Sequence, residues 1–424
     1  MFINTVSSKK TIPPVLKANS ANKPEKQITF SGHFELPFYS KKINALNFNK
    51  IMLTDFFSRK SLSAIEDRKA KYPKDHEYRT ELAKHVGCPP EALMSVVGKE
   101  ELLDILSKLT PENFAVGKNN KNIKNGTFKA NMHIHTLDSD GSMKVEDLLN
   151  QAVKYANSMP KPPFIFSITN HDILNDTRNA IEIIAKTPEK YKNILFIPGI
   201  EMTAKYMNPE LFDKPIQIEM LGYCINPYDK KINDFLENTR QNNFKYADFL
   251  IKEAKKIGLE TNLDELKSYY KLLEIGASPA FIYLTKEFML EKAFKKNIDP
   301  KLVLNIFEEH EKKYGTIFVS PATPDIETLL STFDKSLLSL AHPGRIHLNG
   351  IKKGVSGKIG MNSLFDRLVA HGGIAAEINY QYPDSYYNDE SNAWLKHIRE
   401  YAESLNIVNT GGIDNHGSTI FKNH

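Results

Sequence analysis

The chain has 424 residues, of which 41% are hydrophobic and 25% charged, and its formal net charge is +5. Such a chain can form a sizeable core and about two to three domains, and its weak positive charge favours anionic partners slightly without resembling a nucleic-acid-binding tail. The chain has only two cysteines, far apart in sequence, which argues against a disulfide framework. No apolar run approaches the ~20 residues that a membrane span needs, so we expect a cytoplasmic protein.

The first segment, residues 1–45, is polar and rich in Lys, Ser and Pro, and it shows no sustained period. We interpret it as a flexible N-terminal segment, in which 30–39 is a candidate docking stretch. Residues 1–24 lack acidic side chains, a bias that transit peptides share. Arginine is also absent there and no amphipathic stripe is clear, so a plain disordered lead is the favoured interpretation.

The next segment, residues 46–125, has a helical pattern in which apolar residues lie among charges and Pro89, Pro90 and Pro111 act as breakers. We interpret it as a helical N-terminal extension. It carries no motif with chemical meaning, so folding support, partner docking and targeting remain open, and any protein partner is unknown.

From residue 126 onward, short apolar runs alternate with helical stretches, which predicts βαβ units and a mainly parallel sheet. The two halves of this pattern are residues 126–225 and 326–424. The predicted strands are Phe128 to His135, Phe164 to Thr169, Ile194 to Pro198, Ile216 to Tyr223, Leu337 to Ala341, Ile374 to Asn379 and Ile407 to Thr410. Residues 226–325 between the halves show amphipathic helices instead, and we expect a helical insertion that lies over the site.

The first chemical signal is the run Asn131-Met-His-Ile-His-Thr-Leu-Asp-Ser-Asp-Gly141. Side chains two apart in a strand share a face, so His133 and His135 point the same way and can bind a metal together. Asp140 follows in a turn that can fold back to them. A lone His-x-His pair is common by chance, so other segments must support this interpretation.

The other apolar runs supply that support, because nearly every one is followed by a residue that can ligate a metal. The residues concerned are His171, Glu201, His342, Asp414 and His416, and Glu219 lies within a further run. In a β/α barrel the C-terminal ends of the strands meet at one rim. Each residue taken singly has an ordinary structural alternative, such as a surface histidine, a helix cap or a hydrogen-bonded core acid, but the series together favours a metal site.

These motifs resemble those of the polymerase-and-histidinol-phosphatase (PHP) family of phosphoesterases. The matching segments cover about 200 residues on either side of the insertion. They are His133-x-His135-Thr-x-x-Ser-Asp140-Gly, Thr-x-His171-Asp172, Pro-Gly-Ile-Glu201, Ala-His342-Pro-Gly, Ala-Glu377-Ile-Asn-Tyr and Gly-Gly-x-Asp414-x-His416-Gly. The resemblance implies a distorted (β/α)7, TIM-like barrel with two to three divalent ions, Mn, Fe or Zn, and a bridging role for Glu201.

Three positions depart from the family's pattern. Glu219 stands where the family usually has a histidine, so the site is expected to bind anions more weakly or to hold a different metal content. Asn170 stands where an aspartate is frequent. The family's nucleotide-acting branch often carries an Arg-Pro-His segment in its insertion, whereas residues 277–280 read Ala-Ser-Pro-Ala.

The resemblance implies hydrolysis of phosphoesters by a metal-bound hydroxide, the activity of a phosphatase or phosphodiesterase. Nucleoside phosphates or short oligonucleotides are the leading substrates because of the insertion, and histidinol-phosphate-like or sugar phosphates are the alternative. Asp172 is a candidate for protonating the leaving group and Arg345 for contacting phosphate, although a helix cap and a surface charge are their ordinary alternatives. A regulatory module that binds a metal or ligand without catalysis is the second account.

Overall fold

The computed structural model describes residues 66–116, 128–270 and 281–420, and all structural statements below concern these residues. The segment expected to be flexible, 1–45, and the Ala-Ser-Pro-Ala stretch at 277–280 lie outside the described residues.

A seven-stranded sheet forms the centre of the fold, and its strands follow one another in chain order. Neighbouring strands are parallel except around the fourth, which is antiparallel to the third and the fifth. The mixed α/β architecture with a mainly parallel sheet is therefore confirmed. The strands are β1 (Ala130–Asn131), β2 (Phe164–Ile168), β3 (Ile194–Tyr206), β4 (Ile216–Tyr223), β5 (Leu337–Leu340), β6 (Ala375–Ala376) and β7 (Val408–Asn409).

The sheet curls until the chain that follows β1 meets the chain that follows β7. Ile134 pairs with Asn415 in a parallel bridge. The amide of Met132 donates to the carbonyl of Gly411 at 3.0 Å, and the amide of His135 donates to that of Asn415 at 2.8 Å. Because this closure lies at the C-terminal ends of the first and last strands, the residues after the strands surround a common mouth.

Helices cover the outer face of the curled sheet, because each presents an apolar stripe to it. In α3 (Val145–Ser158), for example, Leu148, Leu149 and Ala152 are fully buried among residues of β2 and β3. These covering helices are α3 (Val145–Ser158), α4 (Asn175–Lys186), α9 (Ile326–Thr332), α10 (Gly357–Ala370) and α11 (Asp389–Ser404).

The N-terminal extension contains α1 (Pro73–Val86) and α2 (Lys99–Leu106). Its chain also pairs with β3, since the amide of Val97 donates to Phe196 and the amide of Phe196 donates to Ser95, at 2.9 and 2.7 Å. The helical pattern expected for this segment is thus observed in its described residues.

Helix α2 lies at the end of the sheet opposite the mouth. Leu102 and Leu106 share one apolar cluster with residues at the beginnings of the parallel strands, such as Ala130, Ile165 and Leu337. The extension therefore closes that end of the sheet and belongs to the same core.

The described part of the insertion is mainly helical. Its helices are α5 (Lys230–Lys256), α6 (Leu263–Tyr270), α7 (Phe281–Lys295) and α8 (Pro300–Tyr314). They enclose a core of their own, in which Phe244, Leu250, Phe288 and Phe307 are buried. None of the helices in the described ranges has the length and apolarity needed to cross a membrane.

Candidate metal centre

Two buried histidines after β1 form the base of the mouth. His133 and His135 have no exposed surface, and their Nε2 atoms lie 3.1 Å apart. The alternating residues Met132 and Ile134 are buried in apolar clusters instead, as the two-residue period of an extended chain requires. The predicted common orientation of the two imidazoles is thus observed.

Two carboxylates from distant strands complete a first group of ligands around this pair. Glu201 lies in β3, and its Oε2 is 3.1 Å from Nε2 of His133 and 3.2 Å from Nε2 of His135. Asp414 follows β7, and its Oδ1 is 3.4 and 3.2 Å from the same two nitrogens. One ligand atom from each of the four residues lies within 4.8 Å of all the others.

A second group contains His135, Asp140, His171 and His416, and it meets the same distance condition. The Asp140 turn folds back as expected, so that Oδ2 of Asp140 is 3.2 Å from Nε2 of His416 and 3.5 Å from Nε2 of His171. The rings of His135 and His416 stack at 4.2 Å. The tight turn requires Gly141, since a Cβ at that position would come 2.4 Å from the carbonyl of His135.

A third group contains His171, Glu201 and Glu219. Glu219 lies in the middle of β4 rather than at its end. Because β4 runs against its neighbours, Glu219 is paired with Thr203 of β3, two residues beyond Glu201 on the same face. His342 adds an imidazole here, since its Nε2 is 3.2 Å from both Glu201 and Glu219.

The chemistry of these donors fits divalent cations. Nδ1 of His171 is buried and makes no hydrogen bond, although buried ring nitrogens normally do, and it lies 3.2 Å from Oε2 of Glu201. Nitrogens and carboxylate oxygens face one another at 3.1 to 3.5 Å across all three groups. Mixed imidazole and carboxylate ligands suit Mn²⁺, Fe²⁺ and Zn²⁺.

The electrostatics of the centre keep its carboxylates ionised. Burial alone would raise the pKa of Glu201 and Asp414, but His133 and its neighbours outweigh burial and hold both well below the usual range. Burial would likewise lower the pKa of His133 and His171, and the surrounding carboxylates raise it well above 6.5 instead. Cations therefore have to displace protons from these imidazoles in order to bind.

Backbone strain also concentrates here. Asp172, His342 and Asp414 have φ angles of 52°, 25° and 51°, in the left-handed region that costs a non-glycine residue about 1 to 3 kcal/mol. Local chain preference alone would not hold the backbone in this region, so tertiary contacts keep these three residues there.

Glu377, just after β6, orients two of the histidines. It is fully buried, its carboxylate lies 3.1 and 3.2 Å from Nδ1 of His133, and it accepts the amide N–H of His342 at 2.9 Å. A carboxylate on Nδ1 directs the Nε2 lone pair of His133 toward Glu201 and Asp414. The expected hydrogen-bonding role of Glu377 agrees with this placement.

Arg345 contacts Asp414 directly. Its Nη1 donates to Oδ2 of Asp414 at 2.8 Å and to the hydroxyl of Tyr380 at 2.9 Å. Tyr380 also donates to Asp414 at 3.0 Å. About half of the Arg345 side chain is exposed, so the guanidinium lies at the opening of the mouth. The sequence reasoning assigned no role to Tyr380, although it ends the Ala-Glu-Ile-Asn-Tyr motif.

Asp172 directly follows His171 but belongs to none of the three ligand groups. Its carboxyl lines a cavity between the sheet and the insertion, together with Thr203. Burial raises its pKa to about 8. Asn170 has a structural role, since its Oδ1 accepts the amide N–H of Thr136 at 2.8 Å.

The structure brings all nine predicted ligands to one mouth, namely His133, His135, Asp140, His171, Glu201, Glu219, His342, Asp414 and His416. The two predicted catalytic residues are not among these ligands: Arg345 contacts Asp414, and Asp172 lines the cavity.

No protein-family model matches the chain, and no curated protein matches it. An amidohydrolase from Chromobacterium violaceum, solved with sulfate and without metal, is similar at 17% identity and a TM-score of 0.45, over 68% of this chain and 88% of that one. A Bifidobacterium adolescentis protein provisionally described as a metal-dependent phosphoesterase is similar at 16% identity and a TM-score of 0.44, over 69% and 88%. Likenesses this distant support no conclusion about function.

Proposed function

We propose that this chain is a metal-dependent hydrolase of phosphoric esters with a barrel of the PHP type. One observation carries the proposal: the three ligand groups share residues in pairs. His135 belongs to the first and second groups, His171 to the second and third, and Glu201 to the first and third. Shared ligands favour two or three adjacent Mn, Fe or Zn ions, the arrangement that phosphoryl chemistry uses.

The charge of the centre favours an anionic substrate. Asp140, Glu201, Glu219 and Asp414 contribute four negative charges if all are ionised, whereas three divalent ions would contribute six positive ones. Arg345 adds a further positive charge at the opening. An excess of positive charge attracts phosphate, while a neutral amide would gain little from it.

The bound ions would neutralise the phosphate and lower the pKa of a coordinated water toward ~7. The chain's own residues supply the rest. Glu377 holds His133 in its ligating orientation, and Arg345 is placed to contact a phosphate oxygen at the opening. Asp172 follows His171 of the third ligand group and lines the cavity, where it would donate a proton to the leaving oxygen.

The test uses the purified full chain. Bound metals are measured by elemental analysis, and an aryl phosphate and an aryl phosphodiester are assayed with added Mn²⁺. We expect turnover in the wild type and losses of at least about a thousandfold in His133→Ala and Asp414→Ala, because ligands of a shared centre act as a unit. His347→Ala, which removes an exposed histidine five residues after His342, should leave the rate unchanged. Metal-free protein that is inert on both esters would refute the proposal and favour a regulatory module.

The role of Asp172 has its own test. Asp172→Asn should slow hydrolysis of an alkyl phosphate, whose alkoxide needs a proton, by about a hundredfold or more. It should scarcely affect an aryl phosphate with a nitrophenolate leaving group, which departs as an anion. Equal losses on both substrates would show that Asp172 acts on the fold or on metal binding instead.

Within this class, nucleoside phosphates or short oligonucleotides are our first proposal for the substrate, and a sugar or histidinol-like phosphate is the second. The helical insertion between the two halves of the sheet supports this order, because the nucleotide-acting branch that the motifs resemble carries an insertion in the same place. A panel of such esters, compared by kcat/KM in the presence of Mn²⁺, decides between them.

A further inference from the structure

Arg345 presents one edge of its guanidinium group without a partner. Nη1 carries two N–H groups and both are used, because it donates to Oδ2 of Asp414 at 2.8 Å and to the hydroxyl of Tyr380 at 2.9 Å. Among the described residues, the Arg345 side chain makes no other hydrogen bond, so the N–H groups of Nε and Nη2 are unpaired. About half of the side chain is exposed, and these donors are therefore available to a ligand in the mouth.

The unpaired edge has the geometry that recognises a phosphate. The N–H of Nε and one N–H of Nη2 are parallel in the plane of the guanidinium, and such a fork binds two oxygens of a phosphate at once. The contact with Asp414 keeps this fork beside the ligand groups. Asp414 belongs to the first group, and its other oxygen, Oδ1, lies 3.2 Å from Nε2 of His135. A phosphate bound by the fork would therefore lie next to the first ligand group.

Tyr380 fixes the orientation of this guanidinium. The residue is only 3% exposed, and its hydroxyl accepts from Arg345 while it donates to Oδ2 of Asp414 at 3.0 Å. Its ring packs edge-on against the ring of His342 at 5.4 Å and against that of Tyr382 at 4.7 Å. These contacts hold the hydroxyl in one place, so Nη1 has a fixed acceptor for each of its N–H groups.

The turn that carries Arg345 is also held by tyrosines. The amide N–H of Gly344 donates to the hydroxyl of Tyr382 at 2.9 Å, and the carbonyl of Gly344 accepts from the hydroxyl of Tyr386 at 2.7 Å. The rings of these two tyrosines stack at 4.6 Å. A side chain would not fit at Gly344, since its Cβ would come 2.5 Å from the Tyr382 hydroxyl. The backbone and the guanidinium of Arg345 are thus both preorganised, so little conformational freedom is lost when a phosphate binds.

We propose that Tyr380 is a positioning residue for phosphate binding: it holds Arg345 so that the edge formed by Nε and Nη2 binds two oxygens of the substrate's phosphate. The Tyr380 hydroxyl acts through Arg345 and does not contact the phosphate. The competing account is that Arg345 only balances the charge of Asp414, which a lysine would do equally well. This inference rests on the proposed function and deepens it, because it accounts for the orientation of the group that contacts the phosphate.

The test measures binding of inorganic phosphate to the full chain saturated with Mn²⁺, by titration calorimetry, and bound Mn²⁺ is checked by elemental analysis. Arg345→Lys keeps the positive charge but removes the fork, and it should weaken phosphate binding at least about tenfold. Tyr380→Phe removes only the hydroxyl from a ring of the same shape, and it should weaken binding about three- to tenfold. Tyr401→Phe is the matched control, because it removes a tyrosine hydroxyl that donates to Asp366 at 2.8 Å, between α11 and α10. The control should bind phosphate as the wild type does.

The double variant separates positioning from a general effect on the centre. If Tyr380 acts through Arg345, Tyr380→Phe should weaken phosphate binding by less than about twofold in the Arg345→Lys chain. The proposal is overturned if Tyr380→Phe causes equal losses in both backgrounds, loses its Mn²⁺ or binds phosphate unchanged. It is also overturned if Arg345→Lys binds phosphate like the wild type, or if the wild type binds none. Failure of the phosphoesterase proposal would appear separately, as absence of aryl phosphate hydrolysis by the metal-loaded wild type.

Discussion

Replacement of Glu377 tests whether a buried carboxylate outside the ligand groups sets the metal affinity of the centre. Oε2 of Glu377 accepts the amide of His342 at 2.9 Å and lies 3.1 Å from Nδ1 of His133. In Glu377→Gln the amide oxygen can keep that position. The amide nitrogen would then take the place of Oε1, which lies 3.2 Å from Nδ1 of His133. The substitution therefore removes the negative charge and the contact between Oε1 and His133.

The expected effect follows from that geometry. Loss of a partner that orients a ligating histidine typically costs 10- to 100-fold in metal affinity, or about 1.4 to 2.8 kcal/mol. Glu377→Gln should cost about tenfold in metal affinity, since its amide oxygen can still accept hydrogen bonds from both His342 and His133. Glu377→Ala should lie near the upper value and should also destabilise the fold, because it leaves a buried donor on His133 and another on His342 unpaired.

The assay is an equilibrium competition for Zn²⁺ and Mn²⁺ between the metal-stripped protein and a fluorescent chelator. Glu403→Gln, at an exposed glutamate of α11, serves as the control for loss of a negative charge and should match the wild type. If Glu377→Gln binds both metals within twofold of the wild type, Glu377 does not orient His133, and the assignment is wrong.

Three further predictions concern stability and local geometry. Addition of Mn²⁺ at a hundred times its Kd should raise the free energy of unfolding by about 2.7 kcal/mol, seen as a higher Tm that chelation reverses. Gly412→Ala should lower metal affinity at least tenfold in the chelator competition, because its Cβ would lie 2.5 Å from Cβ of His133. Burial lowers the pKa of His310 from 6.5 to about 4, so the folded chain keeps this imidazole neutral at a pH where the unfolded chain protonates it. As the pH falls from 6.5 to 4, the free energy of unfolding measured by urea titration should therefore decrease by up to about 3 kcal/mol. This decrease should be absent in His310→Gln.

The sequence by itself determined the strands and singled out the nine candidate ligands that the fold brings together. All seven apolar runs became strands, because a short β-rich run between polar turns has few other places in a globular fold. The shared orientation of His133 and His135 follows from the two-residue period of an extended chain, a local property that needs no knowledge of the partners. The helical character of the insertion and of the N-terminal extension was likewise readable from apolar spacing.

Only the tertiary structure decided how these pieces meet. The reversal of β4 brings Glu219 beside Glu201, and nothing in the run of residues 216–223 distinguishes a parallel from an antiparallel neighbour. The closure of one end of the sheet by α2, the contacts of Tyr380 with Arg345 and Asp414, and the cavity at Thr203 join segments that are far apart in the chain. Such contacts depend on the curl of the sheet and on the packing of whole elements, whereas sequence periodicity reports only which face of a single element is apolar.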